Sequence, residues 1–88
     1  MTKLEQKLLE LGYKLNLMWC YYGRSCYDKE CNSHTLQIYL NKITGKISIS
    51  RVIANTYYEV QLGIDYLQQA FNQLQADLKE LEDYDISN

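Results

Sequence analysis

Eight apolar residues toward the end of the chain, Tyr57, Val60, Ile64, Leu67, Phe71, Leu74, Leu78 and Leu81, follow one another at alternating gaps of three and four. A repeat of seven with two apolar positions lays a single stripe along an α-helix. Thr56-Tyr57-Tyr58-Glu59 precedes it with the spacing of a capping box, so the pattern predicts a helix over about 57–84. At 1.5 Å per residue such a helix runs roughly 40 Å, farther than a small sheet reaches. The seam residues Ile64, Leu67, Phe71, Leu74, Leu78 and Leu81 therefore have two uses: docking on the chain's own sheet, or forming the seam of a homodimer. Gly63 is placed to kink the helix or to detach its first turn.

The rest of the chain has to supply the surface on which this helix lies. Thr2-Lys3-Leu4-Glu5 is a second capping box, Leu4, Leu8 and Leu11 share one helical stripe, and Gly12 stands where a left-handed C-terminal cap belongs. A short helix over about 3–11 follows, too short to persist undocked. From Tyr13 the period changes to two, with Tyr13, Leu15, Leu17, Trp19 and Tyr21 on one side, predicting a strand over 13–22. Leu36, Ile38 and Leu40 alternate with polar neighbours and predict a strand over 35–41. After a turn at Thr44-Gly45, Ile47 and Ile49 open a third strand over 46–53, whose phase slips around Arg51 and Val52 as at a bulge. The polar stretch from Gly23 to Ser33 reads as a loop. With no Pro or Gly/Ser-rich linker, residues 1–88 make one α+β domain: a short N-terminal helix, a three-stranded antiparallel sheet, and a long amphipathic C-terminal helix packed on one sheet face.

Eighty-eight residues leave little spare structure for a catalytic cleft. Lys3, Glu5, Lys7, Glu10 and Lys14 interrupt any apolar core of a secretory signal, and the longest apolar stretch, Leu17 to Tyr22, is too short to cross a bilayer. A cytoplasmic protein that does not engage membranes is the expectation. Residues 1–44 hold six basic and four acidic side chains, and residues 45–88 hold three basic and seven acidic. An excess of acid disfavours direct nucleic-acid binding, whose affinity comes largely from neutralising phosphates.

Cys20, Cys26, Cys31 and His34 lie within fifteen residues and offer the ligand types of a structural zinc site. Their spacing lacks the two close pairs of a usual zinc module, so the leading reading is three unlinked thiols and a solvent-facing histidine, with no cofactor. Cys31 and His34 also lack an orienting group for nucleophilic catalysis, Thr44-Gly45-Lys46 lacks the glycines of a phosphate loop, and the chain is not read as an enzyme. Nine tyrosines against one Phe71 and one Trp19 suit a recognition surface. Asp77, Glu80, Glu82, Asp83 and Asp85 gather at a helix C-terminus, where the macrodipole disfavours negative charge, and so suggest an acidic patch for a basic partner.

The opening TKLEQKLLELGY and the stretch IDYLQQAFNQLQADLKEL resemble the ends of small proteins carried by phages and mobile elements of low-GC Gram-positive bacteria. The resemblance covers the two helices. It implies a small product that binds and blocks a host protein, anti-CRISPR proteins being the best-known kind. Taken with the residues, the expected function is a non-enzymatic, dimeric inhibitor of a host protein, such as a nucleic-acid-binding defence component. Its contact surface would combine Tyr22, Tyr27, Tyr58 and Tyr66 with Asp77, Glu80, Glu82, Asp83 and Asp85. Two alternatives stand beside it. One is a zinc-stabilised RNA- or peptide-binding module built on Cys20, Cys26, Cys31 and His34. The other is a dimer that sequesters a nucleotide-like ligand between tyrosines and Arg24 or Arg51.

Overall fold

A computed structural model of the chain describes residues 1–20, 22–54 and 64–87. The elements run α1 (Lys3–Glu10), β1 (Lys14–Leu15), a 3₁₀ turn (Leu17–Trp19), β2 (Arg24–Cys31), β3 (His34–Asn41), β4 (Ile47–Ala54) and α2 (Ile64–Ser87). Four antiparallel strands pair in the order β1-β2-β3-β4, one more than the sequence predicts. The fold is α+β, and both helices pack against one face of the sheet and against each other. No helix among the described residues is long and apolar enough to cross a membrane.

Helix α1 forms where its caps require. The Thr2 hydroxyl accepts from the Glu5 amide at 3.1 Å, and Glu5 accepts from the Thr2 amide at 3.2 Å. At the other end Gly12, at φ +98°, lets the amides of Gly12 and Tyr13 turn back to the carbonyls of Leu9 and Leu8. The turn points Tyr13 into the core beside Leu4 and Leu8. The chain then pairs with β2 for only two residues, because Asn16 intervenes. Its side-chain amide donates to Asp28 at 2.6 Å while its Oδ1 accepts from the Met18 amide, turning the backbone into the 3₁₀ conformation. The strand expected over 13–22 therefore ends at Leu15, and Leu15, Leu17 and Trp19 are exposed instead of buried.

Strand β2 occupies the stretch expected to be a loop. Its core-facing side chains, Ser25, Tyr27, Lys29 and Cys31, are not an apolar set, and two of them enter the core through polar partners. Tyr27 donates to Glu5 at 3.1 Å and Lys29 reaches Asp77 at 2.9 Å. In β3, Leu36, Ile38 and Leu40 face the helices as expected. The slip in β4 sits at Ser48, where Tyr39 pairs with Ile49 and Leu40 with Ile47. This bulge lies upstream of the expected position and turns Ile47, Ser50 and Val52 toward the helices, leaving Ile49 and Arg51 outside.

Helix α2 is tied to the sheet at two levels. Asn32, in the β2–β3 turn, donates to Gln69 at 2.9 Å, and Asp85 accepts from the Ile47 amide at 2.7 Å. Those sixteen steps of helix span roughly 24 Å, close to the roughly 26 Å of an eight-residue strand. The first turn of α2 projects past the sheet. Its buried residues are Ala70, Leu74, Asp77 and Leu81, with Leu78 and Tyr84 beside them. The buried face is thus rotated roughly 60° from the centre of the heptad seam, at 100° per residue. Leu74 and Leu81, expected in a dimer seam, are 4% and 0% exposed in the chain's own core, so they cannot also meet a second chain. Leu67 and Phe71 remain 38% and 43% exposed. The side chain of Ile64 and positions 55–63, including the second capping box, lie outside the described residues.

Candidate interaction surface

Three segments meet at the end of the sheet where β2 and β4 begin: the 3₁₀ turn, the turn at Tyr22-Gly23 and the β3–β4 turn. Each is held by hydrogen bonds that aim an apolar residue outward. Asn16 fixes the 3₁₀ turn, leaving Leu17 77%, Met18 89% and Trp19 44% exposed. Tyr22 is 92% exposed and has φ +50°, a left-handed conformation that costs an aromatic residue roughly 1 kcal/mol and is followed by Gly23 at φ +74°. In the β3–β4 turn Asn41 Oδ1 accepts from the amides of Ile43 and Thr44, and Gly45 takes φ +74°, which leaves Ile43 92% exposed. The Lys42 amide donates to the Gly23 carbonyl at 2.7 Å and locks two of these segments together. Exposed Arg24, Lys42 and Lys46 stand beside them.

The sheet face away from the helices braces this end. Arg51 donates from Nε to Gln37 at 2.8 Å and from Nη2 to Tyr39 at 2.9 Å, with its guanidinium 5.4 Å from the Tyr39 ring centre. Next to Tyr39, Cys26 is fully buried and donates its thiol proton to Asp28 at 3.2 Å. Among the described residues, no buried side-chain nitrogen or oxygen lacks a partner. Arg51 is exposed on this face, with its guanidinium held by Gln37 and Tyr39 of β3.

The expected composite of tyrosines and acids is kept only in part. Tyr22 belongs to the apolar end, where Arg24, Lys42 and Lys46 are exposed and where the acidic end of α2 arrives, Asp85 accepting from the Ile47 amide and from Lys46 Nζ. Tyr66 is 41% exposed near the projecting start of α2, toward the opposite end. Tyr27 is buried with its hydroxyl on Glu5, and Tyr58 lies outside the described residues. Asp77 is 3% exposed and forms the centre of a core network, because Tyr13, Lys29 and Gln73 all reach it. Glu80, Glu82 and Asp83 are exposed on α2, while Asp85 is half-buried on the Ile47 amide. Two expected contact residues, Tyr27 and Asp77, are therefore structural.

The cysteines are unlinked, and the zinc set does not converge. Cys26 points to the outer sheet face with Cys20 against it, while Cys31 sits opposite His34 at the β2–β3 corner on the helix side. His34 is buried, with Ser33 Oγ 3.2 Å from Nδ1, and does not face solvent. Among the described residues no group of three or more His, Cys, Asp or Glu side chains is placed to hold a metal ion.

Burial shifts several titrations. It pushes the Cys26 thiol up to about 12, with Asp28 adding to the effect and the Tyr39 hydroxyl opposing it. It pushes the Tyr27 phenol up to about 12, helped by the Glu5 charge, and raises Tyr13, which also donates to Asp77. Glu5 is held below the usual carboxylate range, first by the Thr2 amide. For Cys26 and Tyr27 the folded state favours the protonated form. Their contribution is complete below the ordinary values of 9.0 and 10.0 and is lost as pH climbs toward 12. Urea titrations should therefore show stability falling across that alkaline window, with a shallower fall in Tyr27→Phe.

Leu17, Met18 and Ile43 escaped the sequence reading. Their signals were an Asn directly before the apolar run Leu17 to Tyr22, placed to cap a turn, and an isoleucine inside a turn. Comparison with protein-family models, with curated proteins and with solved structures found no match for this chain.

Proposed function

We propose that this chain is a non-enzymatic binding module that docks on a partner protein through its apolar end and acts by occluding that partner. The observation that carries the reading is that Leu17, Met18, Trp19, Tyr22 and Ile43, from three separate segments, are exposed at one end of a hydrogen-bonded scaffold. Leaving so much apolar surface in water has no benefit to the isolated chain, and clustered exposed apolar residues mark interaction sites. Trp, Tyr and Met are types enriched at interface centres. Arg24, Lys42 and Lys46 stand beside the apolar residues, and the acidic end of α2 reaches the same end of the sheet at Asp85, so the surface favours a partner face that carries charges of both signs. The resemblance of the helices to phage-encoded proteins supports a host protein as that partner.

The test is affinity capture from lysate of the encoding or host cell, comparing the wild type with Met18→Ser/Ile43→Ser and with a control at the far end, Gln68→Ala. The reading expects one stoichiometric protein partner, retained by the control and weakened at least about tenfold by the double variant, or about 1.4 kcal/mol or more. Equal capture by all three forms would remove the apolar end from the function. Partition onto anionic vesicles, lost in the double variant, would assign the surface to a membrane and overturn a protein partner.

A further inference from the structure

We propose that Cys20 and Cys26 form a reversible intrachain disulfide when the chain meets a low-molecular-mass disulfide such as oxidised glutathione, with Asp28 accepting the Cys26 proton. The proposal stands independently of the docking reading, although the bond would tie the segment bearing Leu17, Met18 and Trp19 to β2.

Three groups converge on the outer face of β2. The Cys26 amide donates to Cys20 Sγ at 3.4 Å, so the Cys20 sulfur lies over the residue with which it would join. Covalent geometry within Cys26 then limits the separation of the two sulfurs to roughly 7.5 Å at most, and rotation about the two χ1 angles shortens it. The Cys26 thiol is directed at Asp28 Oδ1, 3.2 Å away, and Asp28 is itself held by the Asn16 amide at 2.6 Å. Cys20, whose thiol donates to the Asn16 carbonyl at 3.2 Å, is partly exposed, whereas Cys26 is fully buried, which separates attacking from resolving thiol. Cys31 is five residues from Cys26 on the same strand, and strand alternation puts it on the helix face.

The step balances in two exchanges. The Cys20 thiolate, its proton released to solvent, attacks one sulfur of the small disulfide. A Cys20 mixed disulfide forms, the reagent's S–S bond breaks, and one small thiolate leaves. The Cys26 thiol then passes its proton to Asp28 Oδ1 and its sulfur attacks the Cys20 sulfur. The Cys20–Cys26 bond forms and the second small thiolate departs, taking up the proton. Two protein thiols are oxidised by two electrons, and one small disulfide is reduced to two thiols. Because burial and Asp28 hold the Cys26 thiol protonated, the second exchange depends on a fixed local acceptor and not on hydroxide.

The intact chain is incubated in glutathione redox buffer, quenched with a maleimide and mapped by peptide mass spectrometry. The expected product has lost two hydrogens, links Cys20 to Cys26 and carries maleimide on Cys31. Cys26→Ser should stop at a glutathionyl adduct on Cys20. The second exchange is isolated by loading Cys20 with a dipyridyl disulfide in acid and following the second thiopyridone after a pH jump. Its rate should change less than about twofold between about pH 6 and pH 8 in the wild type, and rise about tenfold per pH unit in Asp28→Asn. Three maleimide-blocked thiols after oxidation, or a bond involving Cys31, would overturn the pairing. Identical pH slopes in the wild type and Asp28→Asn would overturn the role of Asp28.

Discussion

Replacing Asp77 with alanine is expected to cost about 3 kcal/mol of unfolding free energy, at the lower end of the range for breaking a buried ion pair. A chain of 88 residues is stable by roughly 4–13 kcal/mol, so this one change removes a large share of the total. The reason is the number of elements that end on one carboxylate. Asp77 Oδ2 accepts from the Tyr13 hydroxyl at 2.8 Å and from Lys29 Nζ at 2.9 Å, while Oδ1 accepts from Gln73 at 2.9 Å. Tyr13 leads out of the α1 cap, Lys29 lies in β2, and Asp77 and Gln73 lie on α2. Without the carboxylate, the Tyr13 hydroxyl is buried with no acceptor, at a cost of about 1–3 kcal/mol. Lys29 loses its counter-charge but retains a partly exposed route to water, which keeps the total from the top of the range. The urea midpoint should fall by about 3 M at a slope of about 1 kcal/mol/M. The combination Tyr13→Phe/Lys29→Met/Asp77→Leu should recover most of the loss, since apolar residues of similar volume commonly replace a buried pair at little cost. An unchanged midpoint for Asp77→Ala would mean that α2 is docked in another rotation.

That network also shows why part of the fold could be read in the sequence and part could not. Both ends of α1 are local: Thr2 with Glu5, and Gly12 with the two carbonyls behind it, lie within five residues of one another. The alternation of β3 and the turn at Gly45 are local too. Strand β2 is not. Its core face is polar because Tyr27 meets Glu5, 22 residues away, and Lys29 meets Asp77, 48 residues away, so no window of sequence contains the reason why a lysine points inward. The error over 13–22 has the opposite origin: the alternation is present, but Asn16 offers the backbone a local alternative and takes it off the sheet. For the candidate surface, Tyr22 was legible as an exposed aromatic. The contribution of Ile43 was not, because it depends on the hydrogen bond that draws the β3–β4 turn against Gly23.

The rotation of α2 predicts an order among its leucines that the heptad alone does not. A seam treats Leu67, Leu74 and Leu81 as equivalent; the fold does not. Leu81→Ala and Leu74→Ala are each expected to cost about 2–5 kcal/mol, because each removes a side chain enclosed between α2 and the sheet and leaves a cavity there. Leu67→Ala is expected to cost less than about 1 kcal/mol, since more than a third of that side chain's residue surface is already in water. Chemical denaturation at low protein concentration reads the order directly, and equal costs at all three positions would refute the rotation. Repeating the titrations at high concentration addresses the remaining arc of the seam. If Leu67 and Phe71 meet a second copy, their replacement becomes more costly as concentration rises, because association stabilises the folded chain by mass action. If they do not, the order of the three leucines is independent of concentration, and the seven-residue repeat serves to wrap the helix around its own sheet.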